Sequence, residues 1–200
     1  MGELAESLRR ICRDPWPWTR DAIAMGCWGG STLRMFKGGF GPLLQREFVP
    51  RIELGDPVRI RSQPAFDAHW RVEYRRIRAL HPRRSRGQPE PSFGQLAKVL
   101  DSFFIEVPYA LYLHPDLFEA AERLSWLVHP VLDNVVLAAL RRRGLTVRGV
   151  QIPWTISELN RTLYWGIQEV VRIEARQAGA RPMICDYLWA DFESRRDAGY

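Results

Sequence analysis

Apolar positions recur at helical spacing through most of this chain, most clearly after residue 92. Over 94–113, Leu96, Val99, Leu100, Phe103, Phe104 and Val107 fall on one side of a helix. Ser92 and Gln95 form a capping-box pattern at its start, and Pro108 predicts a kink. A second helix is predicted from Asp116 to about Val128. A third starts at Pro130, runs to Arg143 and stops at Gly144. Thr155 with Glu158 is a second capping-box pattern, predicted to open a long helix to about Gln177. Pro182 then starts a last helix, in which Met183, Ile184, Tyr187, Leu188 and Phe192 keep helical spacing.

The first half is less regular. Residues 3–13 and 19–28 have short helical patterns, followed by Gly29, Gly30, Gly38, Gly39 and Gly41 without phosphate-loop spacing. Residues 48–61 carry Pro50, Gly55 and Pro57 among alternating Val, Ile and Arg, which predicts extended chain and a small hairpin. The stretch 66–81 is amphipathic: Trp70, Tyr74 and Ile77 share one side, while Arg71, Arg75 and Arg78 share another. Residues 82–91 are rich in Pro and Arg and predict a loop. That loop separates a basic helical and extended part, 1–91, from a helical part, 92–200. The expected fold is mainly α, a single domain of crossing helices.

Composition supports a globular chain: 200 residues, 46% hydrophobic, with eight Trp, nine Phe and six Tyr. Cys12, Cys27 and Cys185 are far apart and form no CxxC pair, so neither a disulfide framework nor a zinc site is expected. His69, His81, His114 and His129 show no ligand spacing, so no metal and no cofactor are expected. No Ser/His/Asp order or paired-carboxylate motif points to a conventional hydrolase. The start of the chain alternates Glu3, Glu6, Arg9 and Arg10 with apolar residues, unlike a secretory signal. No apolar run approaches the ~20 residues that span a bilayer. These features predict no membrane partner and a reducing, cytoplasmic setting.

Charge adds a candidate partner. The net charge is +6, and residues 51–91 alone hold ten Arg against Glu53, Asp56, Asp67, Glu73 and Glu90. The stripe of Arg71, Arg75 and Arg78, continued by Arg83, Arg84 and Arg86, has the footprint of phosphate contact; Arg141, Arg142 and Arg143 add a second cluster. A solvated face in an arginine-rich protein explains the same pattern.

Lysine use sharpens the chemistry. Lys37 and Lys98 are the only lysines among 29 basic side chains, the other 27 being Arg. An arginine stays protonated, whereas a desolvated lysine can lose its proton and act as a nucleophile. Lys98 lies opposite the apolar stripe of its helix, where Asp101 at i+3 offers a surface partner. Asp133 is the one carboxylate within Val131–Leu137, near a helix start that would stabilise it structurally. Read together, the pair suggests N-glycosidic chemistry: Lys98 attacks the anomeric carbon of a nucleoside and Asp133 stabilises the developing positive charge. A base flipped out of a duplex would need aromatic walls, for which His129, Trp154, Tyr164, Trp165, Tyr187 and Trp189 are candidates. Each taken singly is better explained as core.

The strings Ser92-Phe93-Gly94-Gln95-Leu96-Ala97-Lys98-Val99-Leu100 and His129-Pro130-Val131-Leu132-Asp133 resemble the lysine helix and Pro-x-x-Asp segment of helix-hairpin-helix DNA glycosylases. The similarity is greatest to their archaeal 8-oxoguanine branch. Trp154-Thr155 through Asp186-Tyr187-Leu188-Trp189 is similar to the end of queuosine-salvage nucleoside hydrolases. The resemblance covers 92–192 and implies an all-α fold, Lys98 as nucleophile, Asp133 as catalytic acid and DNA as partner. The chain departs from the family in having no glycine-rich hairpin before the aspartate. Base excision on a nucleic acid is therefore the leading expectation. A non-catalytic arginine-rich nucleic-acid-binding protein and a protein-interaction subunit are the alternatives.

Overall fold

The computed structural model describes Phe36 and residues 40–51, 55–80 and 90–187. Seven α-helices and one hairpin follow one another there. They are α1 (Phe40–Leu43), α2 (Gly55–Arg59), α3 (Gln63–Leu80), α4 (Phe93–Leu111), α5 (Phe118–Ser125), α6 (Asn134–Arg142), β1 (Thr146–Val147), β2 (Val150–Gln151) and α7 (Arg161–Gln177). A π turn, Leu44–Phe48, and a 3-10 turn, Val49–Arg51, continue α1. The protein is mainly α, as its periodicity predicts. The helices expected over 3–13 and 19–28, and the loop over 82–89, lie outside the described residues.

Helix α4 is the centre of the packing. Its whole apolar stripe is buried: Leu96, Val99, Leu100, Phe103, Phe104 and Val107. The Ser92 hydroxyl accepts from the Gln95 amide at 3.2 Å, and the Gln95 side chain accepts from the Ser92 amide at 2.8 Å, which completes the expected capping box. Pro108 lies inside the helix without ending it. At the other end, Gly94 lets the turn Ile156–Glu158 approach the backbone. A Cβ there would stand 2.3 Å from the Ile156 carbonyl oxygen. Around α4, one apolar cluster runs from Phe40 to Met183, so residues on both sides of the 91/92 division share a core.

Local chemistry decides four places where the structure differs from the periodicity. Where residues 48–61 are described they are not strand: 49–51 and 55–59 are helical, with Phe48, Val49 and Ile60 buried as anchors. Pro57 falls in the first turn of α2, where its missing N–H costs nothing. Asp116 lies in a 3-10 turn, and the helix proper, α5, begins at Phe118. Pro130 does not begin α6, because its buried carbonyl accepts from Gln168 Nε2 at 3.1 Å and holds the segment outside the helix. The helix starts instead after Asp133, whose carboxylate accepts from the amides of Val135 and Val136 at 3.0 and 2.9 Å. Thr155 and Glu158 bracket only a single 3-10 turn. α7 is capped by Asn160, which accepts from the Leu163 amide at 2.9 Å.

The one hairpin among the described residues is β1–β2, pairing Thr146 with Gln151 and Val147 with Val150. Its two turn residues, Arg148 and Gly149, have φ of 51° and 78°. Two successive left-handed residues make the turn that matches strand twist. The hairpin rests on α7 where Gly166 leaves room for Val147; a Cβ at Gly166 would come within 2.2 Å of the valine Cγ1.

Candidate functional site

Helices α3 and α7 and the start of α4 enclose a cleft of about 410 Å³. Its floor is aromatic, made by Trp70, Tyr74, Phe93 and Trp165. Trp70 stacks on Tyr74 with centroids 5.2 Å apart and meets Trp165 edge-on at 5.2 Å. Tyr74 and Phe93 close the other side, 4.6 Å apart. The expected helical spacing of Trp70, Tyr74 and Ile77 thus turns α3 towards the core while two of its rings also border this opening.

Four arginines surround that floor: Arg71, Arg75 and Arg78 from α3, and Arg161 from the first turn of α7. All four are exposed, and among the described residues none is paired with a carboxylate. Other arginines are spent on acids: Arg76 on Glu73 at 2.7 Å, Arg181 on Glu122 at 2.7 Å. The Arg71 guanidinium lies over the Trp165 ring at 4.3 Å. Burial pushes the Tyr74 hydroxyl up to about 12, against the opposing pull of Arg78 and Arg161. At neutral pH it therefore remains a hydrogen-bond donor at the edge of a cationic cleft. Arg161 was not singled out by the sequence, since it stands alone at a helix start.

Beneath the floor lies a buried polar network. Asp101 is fully buried; it accepts from Trp70 Nε1 at 2.7 Å and from the Tyr164 hydroxyl at 2.8 Å. It is therefore not the surface partner of Lys98 that its i+3 spacing suggested. His129 Nδ1 lies 2.8 Å from the same Tyr164 oxygen, and its Nε2 lies 3.0 Å from Asp67. Burial pushes the His129 imidazole down and the Tyr164 phenol well up, so both stay neutral near pH 7. Burial also raises Asp67, but hydrogen bonds from His129 and Gln63, with the nearby Arg172 charge, outweigh it and hold the carboxyl below its usual value.

The His129 and Asp67 shifts both favour the folded state more at higher pH. An unfolded His129 takes up a proton as pH falls through about 6.5, and the folded imidazole resists it. Stability is therefore full above that value and falls on acidification by up to about 1.4 kcal/mol per pH unit. Asp67 adds a further loss when its unfolded carboxyl protonates, near 3.8. Melting curves between pH 7.5 and 5 should show Tm falling with acid, and His129→Asn should flatten that slope while lowering Tm throughout.

The candidate catalytic pair is close in space. Lys98 Nζ stands 3.8 Å from Asp133 Oδ2, with side chains 17% and 35% exposed. Asp133 is thus half-open rather than submerged, and its other oxygen is occupied in capping α6. Neither residue lines the aromatic cleft. Of the proposed base-pocket residues, Trp165 borders the cleft. His129 and Tyr164 are sealed within the network and have no open face. Trp154 is exposed, with Arg141 and Arg142 at 4.6 and 5.9 Å from its ring centroid. Trp189 and the side chain of Tyr187 lie outside the described residues, as do Arg83, Arg84 and Arg86. Arg141 donates to the Ile152 carbonyl and to Gln151 Oε1, both at 2.7 Å, and Arg143 donates to the Ala139 carbonyl at 3.1 Å. Those two guanidinium groups hold the hairpin exit and their own helix.

Comparisons with protein-family models, with curated proteins and with solved structures find no match to this chain. Among the described residues, no helix is long and apolar enough to cross a membrane.

Proposed function

We propose that the protein binds nucleic acid through the cleft between α3 and α7. The observation that carries this is four arginines, without carboxylate partners among the described residues, ringing a floor of four aromatic side chains. Guanidinium groups suit phosphate oxygens by charge and by their fork of donors. Aromatic faces and guanidinium planes suit an unstacked base, whatever its identity. A site with only the arginines would equally fit inorganic anions, and one with only the rings would fit any flat apolar ligand. The combination selects a ligand with both parts. Titration of the cleft tryptophans' fluorescence with a single-stranded oligonucleotide should show saturable quenching. Trp165→Ala should weaken binding about tenfold, the value of one stacked base, while leaving its salt dependence intact. An oligonucleotide that binds equally well after that change would remove the support for this reading.

The 3.8 Å approach of Lys98 to Asp133 favours a second reading, N-glycosidic chemistry. In it the Lys98 amine forms a bond to the anomeric carbon as the C–N bond to the base breaks, and the base leaves with that electron pair. Asp133 stabilises the developing positive charge. The new ammonium passes a proton to the departed base, and the sugar ring opens at C1′–O4′ as O4′ takes up the second amine proton, which leaves an imine. Borohydride would reduce it to a covalent adduct with DNA carrying a modified base, and Lys98→Gln would abolish it. No adduct with the native chain would leave binding as the sole function.

A further inference from the structure

Trp165 borders two clefts. Besides the arginine-rimmed one, it lines a second opening of about 230 Å³ between α7 and the hairpin. Arg148, Thr162 and Glu169 supply the polar groups of that opening, with Val147 and Gly166 on its apolar side. The arrangement is built by local rules. Gly166 lets Val147 seat the hairpin directly on α7, one residue from Trp165, and the left-handed turn places Arg148 at the tip. Arg148 is exposed and, among the described residues, has no carboxylate partner.

Cations therefore stand on both sides of one tryptophan: Arg71, Arg75, Arg78 and Arg161 in the first cleft, Arg148 in the second. A mononucleotide has one phosphate group and one base, and the first cleft alone accommodates both. A further phosphate contact beyond Trp165 has use only for a ligand that continues past the ring. Glu169, an exposed residue lining the second cleft, repels phosphate from its side of it. It suits the donor groups of a base edge or a sugar hydroxyl, and Thr162 can pair with either. A duplex keeps its bases stacked inside and offers no free ring to Trp165.

We propose that the ligand is a single strand of at least two nucleotides, crossing Trp165 from the arginine cleft to the hairpin cleft, with Arg148 on the second phosphate. This rests on the nucleic-acid reading above and specifies the strand state and length it takes.

The test compares deoxycytidine 5′-monophosphate, single-stranded hexadeoxycytidylate and a blunt-ended two-strand duplex by tryptophan quenching at fixed salt. The hexamer should bind at least about tenfold more tightly than the monophosphate, the equivalent of one more base contact. Arg148→Asn should erase most of that ratio. Asparagine tolerates the left-handed φ at this position, and a matching melting curve shows that the hairpin is retained. Three results overturn the proposal while leaving the nucleic-acid reading in place: a hexamer no tighter than the monophosphate, an unchanged ratio after Arg148→Asn, or tighter binding of the duplex. If none of the three ligands binds, both fall.

Discussion

Asp101→Ala should cost about 2–4 kcal/mol of folding stability, from a buried donor left without its acceptor and the cavity left behind. The carboxylate is completely buried and holds two donors from two other helices, Trp70 of α3 and Tyr164 of α7. After truncation the tyrosine hydroxyl can turn to His129 Nδ1, which is already 2.8 Å away. Among the described residues the Trp70 indole N–H makes no other hydrogen bond, and a buried donor left without an acceptor costs roughly 1–3 kcal/mol by itself. A cavity adds to this. Against a total stability of about 5–15 kcal/mol, the loss is large. Urea melts should show the midpoint falling with an unchanged slope. Asp101→Asn keeps an acceptor for Trp70 and should retain more than half of the lost stability. The change should also reach the cleft, because the ring that Asp101 holds is part of the cleft floor. A stability loss under about 1 kcal/mol for Asp101→Ala would mean that the network is not what fixes the three helices.

Why this aspartate escaped the sequence is instructive. Periodicity assigns a face to each residue, and the wide stripe of α4 was legible because all six of its members are apolar. The neighbouring line Ala97, Asp101, Ile105 and Pro108 is equally buried. That line contains one acid, and spacing alone made the acid look like a surface partner for Lys98. The signal available was the apolar company it keeps on both sides of one helix. The arginine stripe of α3 was legible for the opposite reason, since its three cations at i, i+4 and i+7 remain exposed. Its partner, Arg161, was not, because the second wall of the cleft comes from a helix 80 or more positions later, and tertiary packing has no local period. Asp133 was noticed for the right chemical oddity but misplaced by a few residues. Pro130 is a good first-turn residue, yet here the cap is formed by the aspartate itself. The hairpin at 146–151 was hidden because an Arg-Gly turn is a weaker hairpin signal than Asn-Gly. Residues 48–61 had the stronger strand composition, yet 49–51 and 55–59 are helical turns flanked by buried Phe48 and Ile60.

The double variant Arg75→Ala/Arg78→Ala should weaken single-strand binding about 30-fold at low salt, from ~1 kcal/mol for each exposed guanidinium–phosphate contact. The more diagnostic change is in slope. Each phosphate contact on a single strand contributes about −0.7 to the dependence of log affinity on log salt, so losing two should make that slope shallower by about 1.4. Neither arginine has a carboxylate partner among the described residues, so their removal leaves no acid stranded and folding stability should hardly move. The comparison that isolates the site is Arg46→Ala/Arg51→Ala. This removes the same two charges, taking the net charge from +6 to +4, from exposed positions that pair with Glu47 and do not line the cleft. If the protein merely attracts polyanions through its overall field, the two double variants should lose affinity and slope alike. If the cleft is where phosphate sits, only the α3 variant should lose both. Equal effects would dissolve the site into a general basic surface, whatever the aromatic floor beneath it suggests.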